Sequence, residues 1–149
     1  MKHKKQVKNG FTLIELLVVI TIIGVLTALF ITNMVGVRER AKDARSKSNL
    51  NELKTALRLF YNDNQNYPAT GSVDEPTPGS TFAGPGGIVY MQEVPNFDSY
   101  AQTNSGDGFL VGVTMDNEGD PEICESWTRC GVAGSCVQGT NVEYYVCAN

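Results

Sequence analysis

KNGFTLIELLVVITIIGVLTALFIT, residues 8–32, decides the fold. From Phe11 to Thr32 it is a run of 22 residues with a single charge, Glu15. A helix of that length is about 33 Å long, enough for a hydrocarbon core of about 30 Å. Lys2, Lys4, Lys5 and Lys8 precede it without an acid among them. The positive-inside rule then places the N-terminus in the cytoplasm and the rest of the chain outside. A secretory signal peptide is the rival, but the run is too long for one, and VLTALF (residues 25–30) offers a poor cleavage site. Glu15 is the anomaly. A carboxylate at the bilayer centre costs about 2.5–3.5 kcal/mol on insertion scales, less near an edge. Two local roles are open to it. It can snorkel to the interface, or close a capping box with Thr12, where the helix dipole also favours it.

Beyond Thr32 nothing stops a helix. NMVGVRERAKDARSKSNLNELKTALRLFYNDN (residues 33–64) contains no proline and is rich in Ala, Leu, Arg, Lys and Glu. Apolar residues at Val37, Ala41, Ala44, Leu50, Leu53, Leu57 and Phe60 read as one stripe at helical spacing. Asn and Asp in NDNQNYP (residues 62–68), with Pro68 behind Tyr67, mark the end. The expectation is one continuous helix from about Phe11 to about Asn62, roughly 78 Å long. Residues 68–87 are rich in Gly, Pro, Ser and Thr and read as loop. Strand candidates follow in GIVYM (87–91), GFLVGVTMD (108–116) and EYYVC (143–147), with Asn117-Glu118-Gly119 expected to turn a hairpin. The fold class is α+β. A long N-terminal helix, transmembrane in its first half and amphipathic in its second, lies against a small antiparallel sheet of three or four strands. A body of under 90 residues has a modest core.

Charge is unevenly spread. Residues 33–58 carry seven Lys/Arg against three acids, a net of +4. Residues 59–149 carry twelve acids against Arg129 alone, a net of −11. An acidic body argues against broad nucleic-acid binding, which needs phosphate neutralisation. The basic stalk suits anionic headgroups or the acids of neighbours. The four cysteines, Cys124, Cys130, Cys136 and Cys147, fall within the last 26 residues. They contain no C-x2-C pair, and the only histidine is His3, so a zinc site is not expected. An even count beyond a membrane span suggests two disulfides in an oxidising compartment. Three connectivities are open; the nested one, Cys124–Cys147 around Cys130–Cys136, is favoured over the other two.

DNEGDPE (residues 116–122) holds four acids in seven residues. Asp116, Glu118 and Asp120 alternate and could offer hard oxygen ligands to calcium, although the spacing is not that of an EF-hand. A solvated hairpin turn is the simpler reading, and no cofactor is expected. Trp127, Tyr144 and Tyr145 suit core or disulfide packing better than an exposed binding patch. Catalysis finds no support: a Ser-His or Cys-His pair needs a histidine beyond residue 10, and no Gly-rich phosphate loop follows a strand.

Glu15 acquires a role if the chain is cut between Gly10 and Phe11. The new α-amino group, with an ordinary pKa near 8, is mostly positive at neutral pH and lies one turn from Glu15. Between staggered copies, the amine of one can meet the carboxylate of the next. A buried charge is tolerated far better paired than alone. Glu15 then sets the register of an array.

These residues closely resemble the N-terminus of type IV pilins and pseudopilins. The shared pattern is a short basic leader ending in glycine, then Phe11, Thr12, two apolar residues, Glu15 and an apolar helix. The resemblance is strong over residues 1 to about 45. ALRLFYNDNQNYP (56–68) and YMQEVP (90–95) resemble the helix end and the segment leading into the sheet. The resemblance implies a leader at 1–10, a transmembrane and filament-core helix at 11–32, an amphipathic half at 33–62 and a globular head at 63–149. It implies that a prepilin peptidase reads Gly10, that Phe11 becomes an N-methylated terminus, and that Glu15 serves assembly. It further implies a cytoplasmic ATPase and a membrane platform as partners, and a homo-oligomeric helical filament. Location would change from inner membrane before assembly to cell surface after it. Many pilins carry a proline in the second half of the apolar run; this chain has only Gly24 and Gly36 there as soft spots. The function expected is a type IV pilus-like filament subunit for adhesion, motility or DNA uptake. The alternatives are a pseudopilin of a type II secretion or competence system, and a monomeric single-pass anchored binding protein.

Overall fold

The computed structural model describes residues 10–31, 34–140 and 142–148, with backbone alone for 29–31, 34 and 35. The chain divides into two units, Met1–Val37 and Arg38–Asn149.

In the first unit, α1 runs Leu13–Ile31. Every side chain described from Phe11 to Ala28 is exposed, on all sides of the helix. The two threonines in its interior do not break the apolar surface. The Thr21 hydroxyl donates to the Val18 carbonyl at 2.8 Å and that of Thr27 to the Ile23 carbonyl at 2.7 Å. A helix apolar all round requires apolar surroundings, from lipid or from other protein. Among the described residues, no helix is long and apolar enough to cross a membrane. The run expected to do so, Phe11–Thr32, draws on side chains 29–32, which lie outside those described. The expected single helix appears as α1 and α2 (Met34–Asn64); residues 32 and 33, between them, lie outside the described residues.

In the second unit, α2 buries Leu50, Leu53, Ala56, Leu57 and Phe60 against the sheet. The expected apolar stripe is corrected. Val37, Ala41 and Ala44 are exposed. The step from Ala44 to Leu50 is six residues, which leaves the two directions about 120° apart on a helix with 3.6 residues per turn, so the two groups do not share a face. The polar residues Asp43, Ser46 and Lys47 continue the inward side instead: Asp43 is buried, and Ser46 and Lys47 are half-buried.

The sheet is three-stranded and antiparallel in the order β3–β4–β5, with β3 Ser99–Thr103, β4 Gly108–Thr114 and β5 Glu143–Cys147. Val111 on the central strand stands opposite Tyr100 on one side and Val146 on the other. The β3–β4 connection turns through Asn104 and Ser105, both at positive φ (52° and 56°). Gly112 lets two side chains cross the sheet. A Cβ there would come within 2.6 Å of the Ser99 hydroxyl and 2.7 Å of the Tyr145 ring. A two-stranded ribbon, β1 Phe82–Ala83 with β2 Val89–Met91, closes the core over Phe60, whose ring lies 5.5 Å from Phe82 and 5.4 Å from Tyr90.

The expected hairpin at residues 117–119 is also corrected. The chain enters a helix, α3 (Pro121–Cys130), which packs on β5. Asp120 is its N-cap, accepting the N–H of Glu122 at 2.9 Å, and Pro121 takes a first-turn position where no donor is needed. Gly131, at φ 64°, ends it. This helix overturns the nested disulfides. Cys124 and Cys130 sit six residues apart on α3, on different sides of its axis. Cys130 meets Cys147 at the end of β5, and Cys124 meets Cys136 in the following loop, with Cα separations of 5.6 and 5.4 Å. The pairing is interleaved.

Candidate functional site

The N-terminal residues form a closed local network. The Glu15 carboxylate accepts the Thr12 N–H at 2.9 Å and the Thr12 hydroxyl at 2.6 Å. The Thr12 hydroxyl in turn accepts the Glu15 N–H at 3.3 Å. This is a capping box: two backbone donors at the start of α1 are satisfied reciprocally by the two side chains. Gly10 and Phe11, on the N-terminal side of the box, are exposed. Glu15 is the only acid on α1, and the side chains around it, such as Ile14, Leu16 and Leu17, are exposed among the described residues.

A second cluster joins α2 to the loop between β4 and α3. Lys42 Nζ lies 2.6 Å from Asp116 Oδ2. Lys47 Nζ lies 2.6 Å from Asp120 Oδ2 and 2.8 Å from Glu122 Oε2. Between the lysines, the buried Asp43 carboxylate accepts the backbone N–H groups of Asp116 and Asn117, each at 2.9 Å. The hydrogen bond to Asp116 holds the Lys42 ammonium above its ordinary pKa. Burial pushes Lys47 down, but its bonds to Asp120 and Glu122 outweigh this and raise it. Burial likewise pushes Asp120 up, and the Lys47 ammonium with the Glu122 N–H outweighs that, leaving it below the usual carboxylate range. The two partners shift in the directions a formed ion pair requires.

The candidate calcium ligands Asp116, Glu118 and Asp120 therefore do not converge on one point. Asp116 and Asp120 face different lysines, and Glu118 is exposed. Among the described residues, no group of three or more His, Cys, Asp or Glu side chains could hold a metal ion. The aromatic candidates are packing. Trp127 donates its Nε1 to the Glu143 carbonyl at 2.8 Å and meets Tyr145 edge-on, while Tyr144 and Tyr145 are buried.

The family described as "Prokaryotic N-terminal methylation motif" matches residues 5–31. "Type II secretion system core protein G" of Escherichia coli (strain K12) is 30% identical over 116 residues, which is 78% of this chain and 70% of that protein. The chain belongs to the type IV pilin and pseudopilin superfamily. "Type II secretion system core protein G" of Aeromonas hydrophila is 39% identical over 67 residues, 45% of this chain and 47% of that protein. "Type IV major pilin protein PilA" of Myxococcus xanthus (strain DK1622) is 43% identical over 59 residues, 40% of this chain and 27% of that protein. The chain thus spans less than half the length of these two relatives. No solved structure matches it.

As a member of this superfamily, the chain has its motif residues Gly10, Phe11, Thr12 and Glu15 together at the start of α1, and the acidic loop far along the sequence. Sequence reading missed Lys42, Asp43 and Lys47. A helical-wheel inspection places Asp43 beside the Leu50 face, which is the one signal that could have found it. Their loop partners lie 73–75 residues away and leave no local trace.

Proposed function

We propose that the chain is a structural subunit of a type IV pilus-like extracellular filament, processed after Gly10 and assembled through its N-terminal helix, serving adhesion, motility or DNA uptake. One observation carries the reading: α1 is apolar and exposed on all sides, with a single carboxylate one turn from Phe11. Such a surface needs lipid before assembly and neighbouring helices after it. Cleavage exposes an amine beside Thr12. In an array, the amine of one copy competes with the Thr12 donors of the next for Glu15. The paired state relieves the charge that apolar packing would otherwise strand. The relatives are named as pilins and secretion core proteins, and the chain is read as no enzyme. A prepilin peptidase, an assembly ATPase and a membrane platform complete the partner set, and the body, with a net charge of −11 over residues 59–149, is not expected to bind nucleic acid. The subunit moves from an inner-membrane precursor to the surface.

A second reading, a pseudopilin of a type II secretion system, is favoured by the long match to the E. coli core protein G. A monomeric membrane anchor is the remaining alternative. The test is mass spectrometry of the mature N-terminus together with electron microscopy of sheared surface material. A mature chain beginning at N-methylated Phe11 in sheared fibres supports the pilus reading. Processing without surface fibres, together with loss of secretion on deletion, favours the pseudopilus. A mature chain that still begins at Met1 sinks both. Gly10→Val should block processing, and Glu15→Leu should leave insertion intact and abolish incorporation into filaments.

A further inference from the structure

We propose that Lys42 and Lys47 are the built-in counter-ions of the acidic loop Asp116–Glu122, doing the work of a bound metal cation, so that the head needs no divalent metal to fold. Four carboxylates within seven residues repel one another and require positive charge nearby. A calcium ion would meet that need with six to eight oxygen ligands gathered at one centre. Here the charge comes instead from two ammonium groups on α2. Lys42 takes Asp116, and Lys47 takes Asp120 and Glu122. Three of the four acids are thereby matched. Four carboxylate oxygens of the loop are committed: Asp120 Oδ2 and Glu122 Oε2 to Lys47, Asp120 Oδ1 to the Glu122 N–H, and Asp116 Oδ2 to Lys42.

Asp43 completes the device with the opposite sign. Its buried carboxylate takes the N–H groups of Asp116 and Asn117, so the loop backbone is gripped as well as its side chains. The positive, negative and positive groups at 42, 43 and 47 face a complementary loop and moor it to α2. That loop leads directly into α3, which carries Cys124 and Cys130. The ionic clasp therefore fixes the start of the disulfide-bonded half of the head. Lys47 does most of this, because its side chain is 15% exposed against 69% for Lys42.

The test uses the full-length chain in detergent micelles, with thermal unfolding followed by fluorescence of Trp127, the chain's single tryptophan. The parent should melt at the same temperature in EDTA and in millimolar calcium. Lys47→Met should lower the midpoint by about 4 °C or more, and Lys47→Arg should keep most of it. Lys42→Met should shift it less. A drop of the parent's midpoint in EDTA, or a saturable rise with calcium, would overturn the proposal, because a metal would then supply the charge. So would a Lys47→Met variant that melts with the parent, or a Lys47→Arg variant that melts with Lys47→Met.

Discussion

The Asp43 carboxylate, 3% exposed, accepts the backbone N–H of Asn117 at 2.9 Å across 74 residues of sequence. Its other oxygen accepts the N–H of Asp116 at the same distance. Truncation would leave both donors without their acceptor. Leaving a buried donor unsatisfied costs about 1–3 kcal/mol. Asp43→Ala should therefore destabilise the head by about 2 kcal/mol or more, read as a lower urea midpoint of Trp127 fluorescence. Asp43→Asn keeps one acceptor and turns an NH2 group towards the other donor, so it should fall between. An Asp43→Ala variant as stable as the parent would show that the loop is held by its lysines alone.

Much of the architecture was legible because it follows from local pattern. The apolar run, the capping box of Thr12 and Glu15, and strands β2, β4 and β5 all lie where their residues place them. What was not legible has physical causes. α3 is short and polar on its outer side, with Asp120-Pro121-Glu122 read as turn chemistry when the same residues open a helix. β3, SYAQT, is too mixed to announce itself and is defined by pairing with β4. The disulfide pairing depended on α3 and failed with it. Of the site, the N-terminal motif was readable, while the clasp rests on contacts between segments some 73 residues apart, which no local pattern encodes.

The interleaved disulfides should appear directly in a non-reducing peptide map. Linked fragments should pair Cys124 with Cys136 and Cys130 with Cys147. A fragment joining Cys124 to Cys147 would restore the nested arrangement. The closed loops span sequence separations of 12 and 17 residues. Loops of this size stabilise by about 3 kcal/mol each in the chain-entropy picture. Replacing Cys130 and Cys147 together by serine should cost stability on that scale and loosen β5, which is paired to β4 on one edge.

The two faces of α2 should respond oppositely to truncation. Leu57 is fully buried in the core, and Leu59 is 53% exposed. Leu57→Ala removes buried methyl groups and leaves a cavity, for an expected cost of about 2–5 kcal/mol. Leu59→Ala should lie within about 0.5 kcal/mol of the parent. Val37→Ala, at an exposed position, should leave head stability equally unchanged. A strong effect at Val37 on the isolated subunit would place it in a core that this fold does not give it.

Stability of the head should be flat in the middle of the pH range and fall at both ends, for separate reasons. Asp120 has its pKa lowered in the folded state, so its contribution is present above its ordinary value of 3.8 and is lost as pH falls through the lower folded value. Lys47 is raised, so its contribution is present below 10.5 and is lost as pH rises above that. Tyr145, pushed up to about 12 by burial and by its bond to Glu143, and Tyr100, raised chiefly by burial, add to the alkaline fall, which begins near their ordinary value of 10. Tyr100 donates to the Pro68 carbonyl at 2.7 Å and must lose that bond to ionise. Lys47→Met removes the principal partner that lowers Asp120, so it should flatten the acid limb. Tyr100→Phe should soften the alkaline limb and leave the acid limb alone. Urea midpoints taken across pH for the parent and both variants separate the two limbs. A Lys47→Met variant whose acid limb still matches the parent's would mean that Asp120 owes its shift to the helix N-terminus it caps, and not to the clasp.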